Sequence, residues 1–298
     1  MNKISHTTCP ICHSDEIRFA LSSKDYTITQ ENFELYDCNS CKIRFTQNPP
    51  SEQVIGKYYD SPSYISHSND QSTLSHKIYH WVRGYMLNKK YQLIRSLTKG
   101  KSLLDIGSGT GYFLNFMKEK EYQVKGIEIN EAARNFSISN FGLNVYPPDE
   151  LLNQNLADRF DIISLWHVLE HLYHPKQYLE VISKYLKDEG ILLIAVPNHQ
   201  STDARYYKEY WAGYDVPRHL WHFNKESIIQ FVEVNNFRFY GSYRLPFDAF
   251  YVSILSEKYK NNSLSFLKGI WHGGISWWQS LFNIGHTSSL IYVFKKSK

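Results

Sequence analysis

One stretch constrains the fold of this chain more than any other. From residue 101 onward, short apolar runs alternate with stretches of helical period, and the first run ends in a glycine loop, LLDIGSGTGYFL (103–114). SLLDIG reads as a strand and GYFLNFMKEKE as a helix. YQVKGIEIN is the next strand, EAARNFSISNFG a helix, and LNVYP a third strand. FDIISLWHVLEHL holds a fourth strand running into a loop. PKQYLEVISKYLKDEG is a helix closed by glycine, and GILLIAVPN is a fifth strand. Strands alternating with helices predict a parallel sheet covered by helices on both faces. Such sheets bind ligands beyond the carboxyl ends of their strands, near the topological switch point.

The loop is not built for a diphosphate. Gly107, Gly109 and Gly111 read GxGxG, with Tyr112 where a dinucleotide fingerprint carries its third glycine. No Gly-Lys-Ser/Thr follows, so it is not a P-loop either. Asp105 precedes the glycines and would repel a diphosphate. Glu128, closing the second strand, suits a carboxylate gripping both ribose hydroxyls. An adenosine carrying a positively charged, amine-bearing tail satisfies both acids, and S-adenosylmethionine is such a ligand.

The ordered set D-x-G-x-G-x-G, an acid at the end of the second strand, FDIISLWHVLEHL and GILLIAVPN resembles the class I S-adenosylmethionine-dependent methyltransferases, over residues 101 to about 240. The resemblance implies an α/β fold: a Rossmann-like seven-stranded, mostly parallel sheet with helices on both faces and a reversed last strand. FRFYGSYRL (237–245) and SSLIYVFKK (288–296) would be an antiparallel sixth and seventh pair. It assigns Asp105, Gly107, Gly109, Gly111, Glu128, Trp166 and His167 to the cofactor. The segment 246–286 lies outside the common core.

Methyl transfer is an in-line displacement that depends on alignment and exclusion of water. A hydroxyl or acidic carbon as acceptor also needs a base, for which histidine is suited near neutral pH. WHVLEHLYH (166–174) offers Glu170 and His171 at the ligand edge of the sheet. This pair resembles the E-H pair of methyltransferases acting on quinone-precursor hydroxyls and of those methylating deoxysugars, in which an N-terminal zinc-binding segment also precedes the core. The resemblance makes His171 the base and Glu170 its neighbour. This sequence is shorter than the sugar enzymes, so a counterpart of their large C-terminal domain is not expected and a nucleotide-sugar acceptor is not implied. DVPRHLWHF (215–223) offers Arg218, His219 and His222 as substrate-binding residues, or else as a network tying the loop down.

All four cysteines lie near the N-terminus, in two CxxC pairs: Cys9 and Cys12, then Cys38 and Cys41. Two such knuckles supply the four thiolates of a closed tetrahedral zinc site, and the intervening residues alternate enough to form strands. The expected organisation is therefore a small zinc ribbon over 1–50, a linker and helical bridge or lid over 51–100, and the methyltransferase domain over 101–298. In the bridge, Ile78, Trp81, Val82, Tyr85, Met86, Tyr91, Ile94 and Leu97 recur at helical spacing. Lys89, Lys90 and Arg95 read as its solvated face.

The charge balance, 33 basic against 29 acidic residues, does not describe a dedicated nucleic-acid binder. A zinc-ribbon ribosomal RNA methyltransferase is the alternative. However, the loop after the fourth strand reads L-W-H-V rather than the N-P-P-Y type used on base amines, and the ribbon carries more acids than bases. A non-catalytic methyltransferase-fold scaffold is a further alternative, opposed by the intact Asp105, Gly107, Gly109 and Glu128. No apolar stretch follows the N-terminal lysine and no run approaches a membrane span, so a cytoplasmic compartment is expected. The aromatic insertion, LSFLKGIWHGGISWWQSLFNIGH (264–286), is expected as a helix pair. Its role is left open between packing on the core, covering an acceptor pocket, a surface between copies of the chain, and shallow membrane contact. The acceptor is expected to be a small molecule, methylated on oxygen or carbon.

Overall fold

The structure is a computed structural model and describes residues 3–59, 74–245 and 247–297. The polar linker expected between the cysteine segment and the first long helix lies, from residue 60 to 73, outside the described residues, as does Pro246.

The strands of the N-terminal segment are β1 (Ile17–Lys24), β2 (Asn32–Cys38) and β3 (Arg44–Thr46). Helix α1 (Leu74–Leu97) leads into β4 (Ser102–Ile106), α2 (Tyr112–Glu119), β5 (Gln123–Ile127), α3 (Glu131–Phe141), β6 (Val145–Tyr146) and α4 (Pro148–Leu152). There follow β7 (Phe160–Trp166), α5 (Pro175–Tyr185), β8 (Leu186–Pro197), α6 (Thr202–Tyr207), β9 (Trp221–His222) and α7 (Lys225–Glu233). Strand β10 (Phe237–Arg244), helices α8 (Asp248–Tyr259) and α9 (Ser265–Phe282), and β11 (Ser289–Lys296) complete the chain.

The main sheet has seven strands in the order β10-β11-β8-β7-β4-β5-β6. Its β4 to β8 pairings are parallel, and β11 runs antiparallel to both β8 and β10. This is the seven-stranded arrangement with a reversed last strand that the motif order implies. Side chains alternate across a strand, and the alternation sorts the buried residues into two cores. Leu104, Ile163, Leu192 and Ile194 face Leu179 and Ile182 of α5 and Ile228 of α7. Leu103, Ile162, Leu193 and Ala195 face Ile94 of α1 and Leu114 and Met117 of α2. Both faces are covered, which is why these strands read as unbroken apolar runs.

One boundary differs from expectation. Helix α5 stops at Tyr185, and residues 186–190, predicted helical, open β8 instead. Leu186 pairs with Phe160 across a register shift and is fully buried. Burial of that side chain in the sheet overrides the local helical pattern.

The cysteine segment shares a sheet with the rest of the chain. The order β1-β2-β3-β9 places Phe45 opposite Trp221 and Arg44 opposite His222. Cys9, Cys38, Cys41, Ile43 and Phe45 belong to the same apolar core as the α5 side of the main sheet.

The insertion forms the helix pair α8–α9, but packs unusually. Gly269, Gly273, Ser276 and Ser280 are the buried stripe of α9. A Cβ on Gly269 would lie 2.5 Å from Cα of Ile254, and one on Gly273 2.7 Å from Cα of Phe250. The two helices therefore meet backbone to backbone, and the bulky residues of α9 turn outward. No helix of the described residues is long and apolar enough to cross a membrane.

Candidate active site

The glycine loop crosses from β4 to α2 at the carboxyl edge of the sheet. The amides of Gly107 and Ser108 both donate to the Ile127 carbonyl, at 2.7 and 3.0 Å, anchoring the loop on β5. Gly107 has φ +72°, and a Cβ there would meet Val168 Cγ2 at 2.3 Å. Gly109 has φ +55° with open space where its Cβ would be, so a ligand can approach its backbone closely. Gly111, with φ +81°, is also constrained from the side of α3. A Cβ there would run into Ser137 and Leu143 at 2.7 and 2.8 Å, so this glycine serves the packing of α2 against α3. Glu128 is 8% exposed and clamps the loop: its Oε2 accepts from the Gly109 amide at 2.7 Å and its Oε1 from Asn130 at 2.8 Å. Each carboxylate oxygen retains a further lone pair.

Asp105 lies under the loop, buried, and accepts the Ser164 hydroxyl at 2.6 Å. Burial pushes its pKa up to about 7, against the opposing effects of the Ser164 bond and the Lys90 ammonium. Lys90 corrects the sequence reading of a solvated basic face. Its Nζ sits over the Trp166 ring, 3.9 Å from the centroid, and 5.3 Å from that of Phe113. Burial lowers its pKa to about 8, and Asp105 partly offsets this. The signal was present in the sequence. Lys90 is one helical turn from both Met86 and Ile94, on the apolar stripe of α1. Trp166, at the end of β7, is half-buried and packs edge-on against Phe113. Its indole Nε1 and the Ser108 hydroxyl are buried without a partner among the described residues.

The turn after β7 carries the histidines. His167 has φ +57° and places Nδ1 3.3 Å from Oε1 of Glu170. Burial disfavours its charge, but Glu170 and Asp248 more than offset this and raise its pKa. Glu170 is fully buried. Burial opposes its charge, but His167, His219 and His171 together hold its carboxyl below the usual range. Its Oε2 has no partner among the described residues. His171 is half-buried, with Nδ1 3.1 Å from both the Arg218 carbonyl and the Tyr59 hydroxyl. A carbonyl only accepts, so Nδ1 carries the proton and Nε2 the lone pair. Burial, then the neighbouring His219, lowers the pKa of His171 to about 4. The rings of His171 and His219 meet edge to face at 4.5 Å. A carboxylate oxygen of Glu170 and a ring nitrogen from each of these histidines lie within 4.8 Å of one another. Tyr59 carries no sequence signal, because it sits in a polar segment without periodicity.

In the 215–223 segment His219, 8% exposed, is buried like Arg218 and His222. His219 joins the cluster, its Nδ1 donating to the Gly213 carbonyl at 3.0 Å. Arg218 and His222 make the network that ties the loop down, the second of the two readings of this stretch. Arg218 is 6% exposed. It donates to both oxygens of Asp215, to the Tyr58 carbonyl, and to Asp25 and Thr27 of the cysteine segment. His222 is 3% exposed, with Nε2 3.1 Å from the Thr46 hydroxyl.

The four cysteines converge as their spacing implies. Cys9 and Cys41 sulfurs are 3.7 Å apart, and Cys12 and Cys38 sulfurs 3.5 Å. Four thiolates around one zinc at the usual bond length stand about 3.8 Å from each other.

Sheet order, glycine loop and strand-end acid together define an adenosine-binding α/β enzyme class. A family profile for a methyltransferase domain matches residues 79–240, more than half of the chain. The chain belongs to the class I S-adenosylmethionine-dependent methyltransferases. It is similar to a probable S-adenosylmethionine-dependent methyltransferase of Mycolicibacterium smegmatis, 24% identical over 125 residues, covering 40% of this chain and 46% of the relative. It is also similar to a ubiquinone biosynthesis O-methyltransferase of Haemophilus ducreyi, 29% identical over 110 residues, covering 33% and 46%. The match thus spans less than half the length of these relatives. Among solved structures the fold is similar to magnesium protoporphyrin IX methyltransferase of Synechocystis PCC 6803 with bound SAH. The TM-score is 0.53 at 12% identity, covering 83% of this chain and 100% of that one.

Proposed function

We propose that the protein transfers a methyl group to a hydroxyl or acidic carbon of a small molecule, with His171 as the base. Bound S-adenosylmethionine would supply an electrophilic methyl on a sulfonium. The residues at the loop fit it: open space over Gly109, the spare lone pairs of Glu128 for a ribose diol, and the unpaired Trp166 Nε1. The Asp105 carboxyl beneath the loop disfavours an anionic ligand there.

The observation that carries the acceptor reading is the state of His171. Its Nδ1–H is committed to the Arg218 carbonyl, so Nε2 is a lone-pair acceptor. With a pKa held near 4, the ring stays neutral at pH 7 and is free to take a proton. Glu170, a buried carboxylate beside it, stabilises the imidazolium that forms. The relative of Haemophilus ducreyi, named an O-methyltransferase, supports oxygen as the acceptor atom. The four thiolates are proposed to hold a structural zinc. With all four positions filled by sulfur, that metal has no open position for chemistry.

The test has two parts. Calorimetry with S-adenosylhomocysteine should show binding to the wild-type protein; its absence would sink the enzyme reading. His171→Ala should bind the same ligand unchanged, while transfer of labelled methyl to a panel of phenols and sugars drops about 100- to 10,000-fold. Undiminished transfer would remove His171 as the base.

A further inference from the structure

We propose that the outer face of α9 docks the protein onto an anionic lipid surface. Phe266, Leu267, Trp271, Trp278 and Phe282 are 60%, 63%, 69%, 59% and 76% exposed. Leu267, Trp271, Trp278 and Phe282 share one side of a single helix, with Phe266 in its first turn, while the stripe spent on α8 is Gly269, Gly273, Ser276 and Ser280. A water-soluble helix normally buries its bulky apolar residues and exposes its polar ones. Here the arrangement is inverted, and the face is larger than scattered surface apolar residues account for.

Charge selects the occupant. Lys258, Lys260 and Lys268 are exposed around the turn between α8 and α9. The acids of residues 247–288 are Asp248, bonded by the Ser289 hydroxyl, and the buried Glu257. The hairpin thus presents cations with no exposed carboxylate, the complement of an anionic headgroup layer. A second copy of the same face would bring no acid to meet these lysines. The residue types agree: Trp271, Trp277 and Trp278 are amphipathic rings suited to the headgroup boundary, and Phe and Leu enter the acyl region. The face also continues inward. Trp277, Leu281 and Ile284 line a cavity of about 620 Å³ that Lys90 and Tyr243 line as well. An amphiphile held at the lipid surface would therefore lie beside the chamber that reaches Lys90. That last step rests on the methyl-transfer reading; docking itself does not.

The experiment is co-sedimentation of the full chain with vesicles of phosphatidylcholine, alone and mixed with phosphatidylglycerol. The protein should bind the mixed vesicles, less so at high salt. Trp271→Ser/Trp278→Ser should weaken binding about tenfold or more with an unchanged melting temperature, as both sites are exposed. Lys258→Gln/Lys260→Gln/Lys268→Gln should remove the preference for anionic vesicles. In the wild type, lipids brominated near the headgroup should quench tryptophan emission, a readout that needs no variant. Protein left in the supernatant with every vesicle would overturn the proposal. So would binding unaffected by the tryptophan substitutions, or a wild-type dimer that these substitutions convert to monomer. Loss of S-adenosylhomocysteine binding would leave the docking result standing, so the two readings fail separately.

Discussion

Arg218 Nη2 and Asp25 Oδ1, 193 residues apart in sequence, lie 3.2 Å apart with both side chains buried. The pair joins the loop that carries His219 to the cysteine segment, so the site rests on the N-terminal sheet. Removing one partner of a buried pair leaves a charge without compensation, a loss of about 3–5 kcal/mol. Arg218→Ala is therefore expected to lower the free energy of denaturant unfolding by that order. Arg218→Lys should recover only part, because an ammonium cannot reach Asp215, Asp25 and the Tyr58 carbonyl together.

Glu128 clamps the loop, accepting from the Gly109 and Asn130 amides, and in the proposed reading also grips the ribose diol. Glu128→Ala is expected to weaken S-adenosylhomocysteine binding about 10- to 100-fold, as for loss of hydrogen bonds to a charged group. Calorimetry measures it directly. An affinity within about twofold of wild type would show that Glu128 does not touch the ligand.

Acidification should destabilise the fold through buried histidines. Burial, with His219 next, holds His171 near 4; burial, with Arg44 next, holds His199 near 3; both start from an ordinary value of 6.5. Below 6.5 the unfolded chain binds protons that the folded protein does not, so stability is full above that value and falls as the pH drops towards 4. Each site contributes at most about 1.4 kcal/mol per pH unit. Urea midpoints from pH 7 to 4 should show this slope, and His199→Asn should flatten it.

Metal removal should unfold more than the first fifty residues. Cys9, Cys38 and Cys41 are buried in the core that includes Phe45 and Trp221. Purified protein is expected to carry one equivalent of zinc by elemental analysis. A chelator strong enough to strip it, or Cys38→Ser, should lower the melting temperature and the cooperativity of the whole chain. Metal-free protein of unchanged melting temperature would refute the assignment.

The sheet was legible because it is local. Each strand–helix unit from 101 to 200 shows its own period, and the glycines and Glu128 sit at strand ends that the pattern locates. The convergence of the four cysteines was legible because two CxxC pairs have the spacing that a tetrahedral metal site would demand. Lys90 was misread because a long cationic side chain on an apolar stripe resembles a surface residue until the partner ring is known. Tyr59 and Asp25 carry no local pattern, since their roles come from contacts made more than a hundred residues away.

By itself the sequence determined the strand–helix alternation, the glycine loop at the end of the first strand of the main sheet and the pairing of the N-terminal cysteines into two knuckles. All of these depend on residues close along the chain. Tertiary structure alone decided that Arg218 and His222 brace the site while His171 and His219 face each other. It also decided that β9 completes the cysteine segment's sheet, and that α9 turns its small residues inward and its tryptophans outward. Helical spacing places residues on faces, but only packing against α8 selects which face is buried.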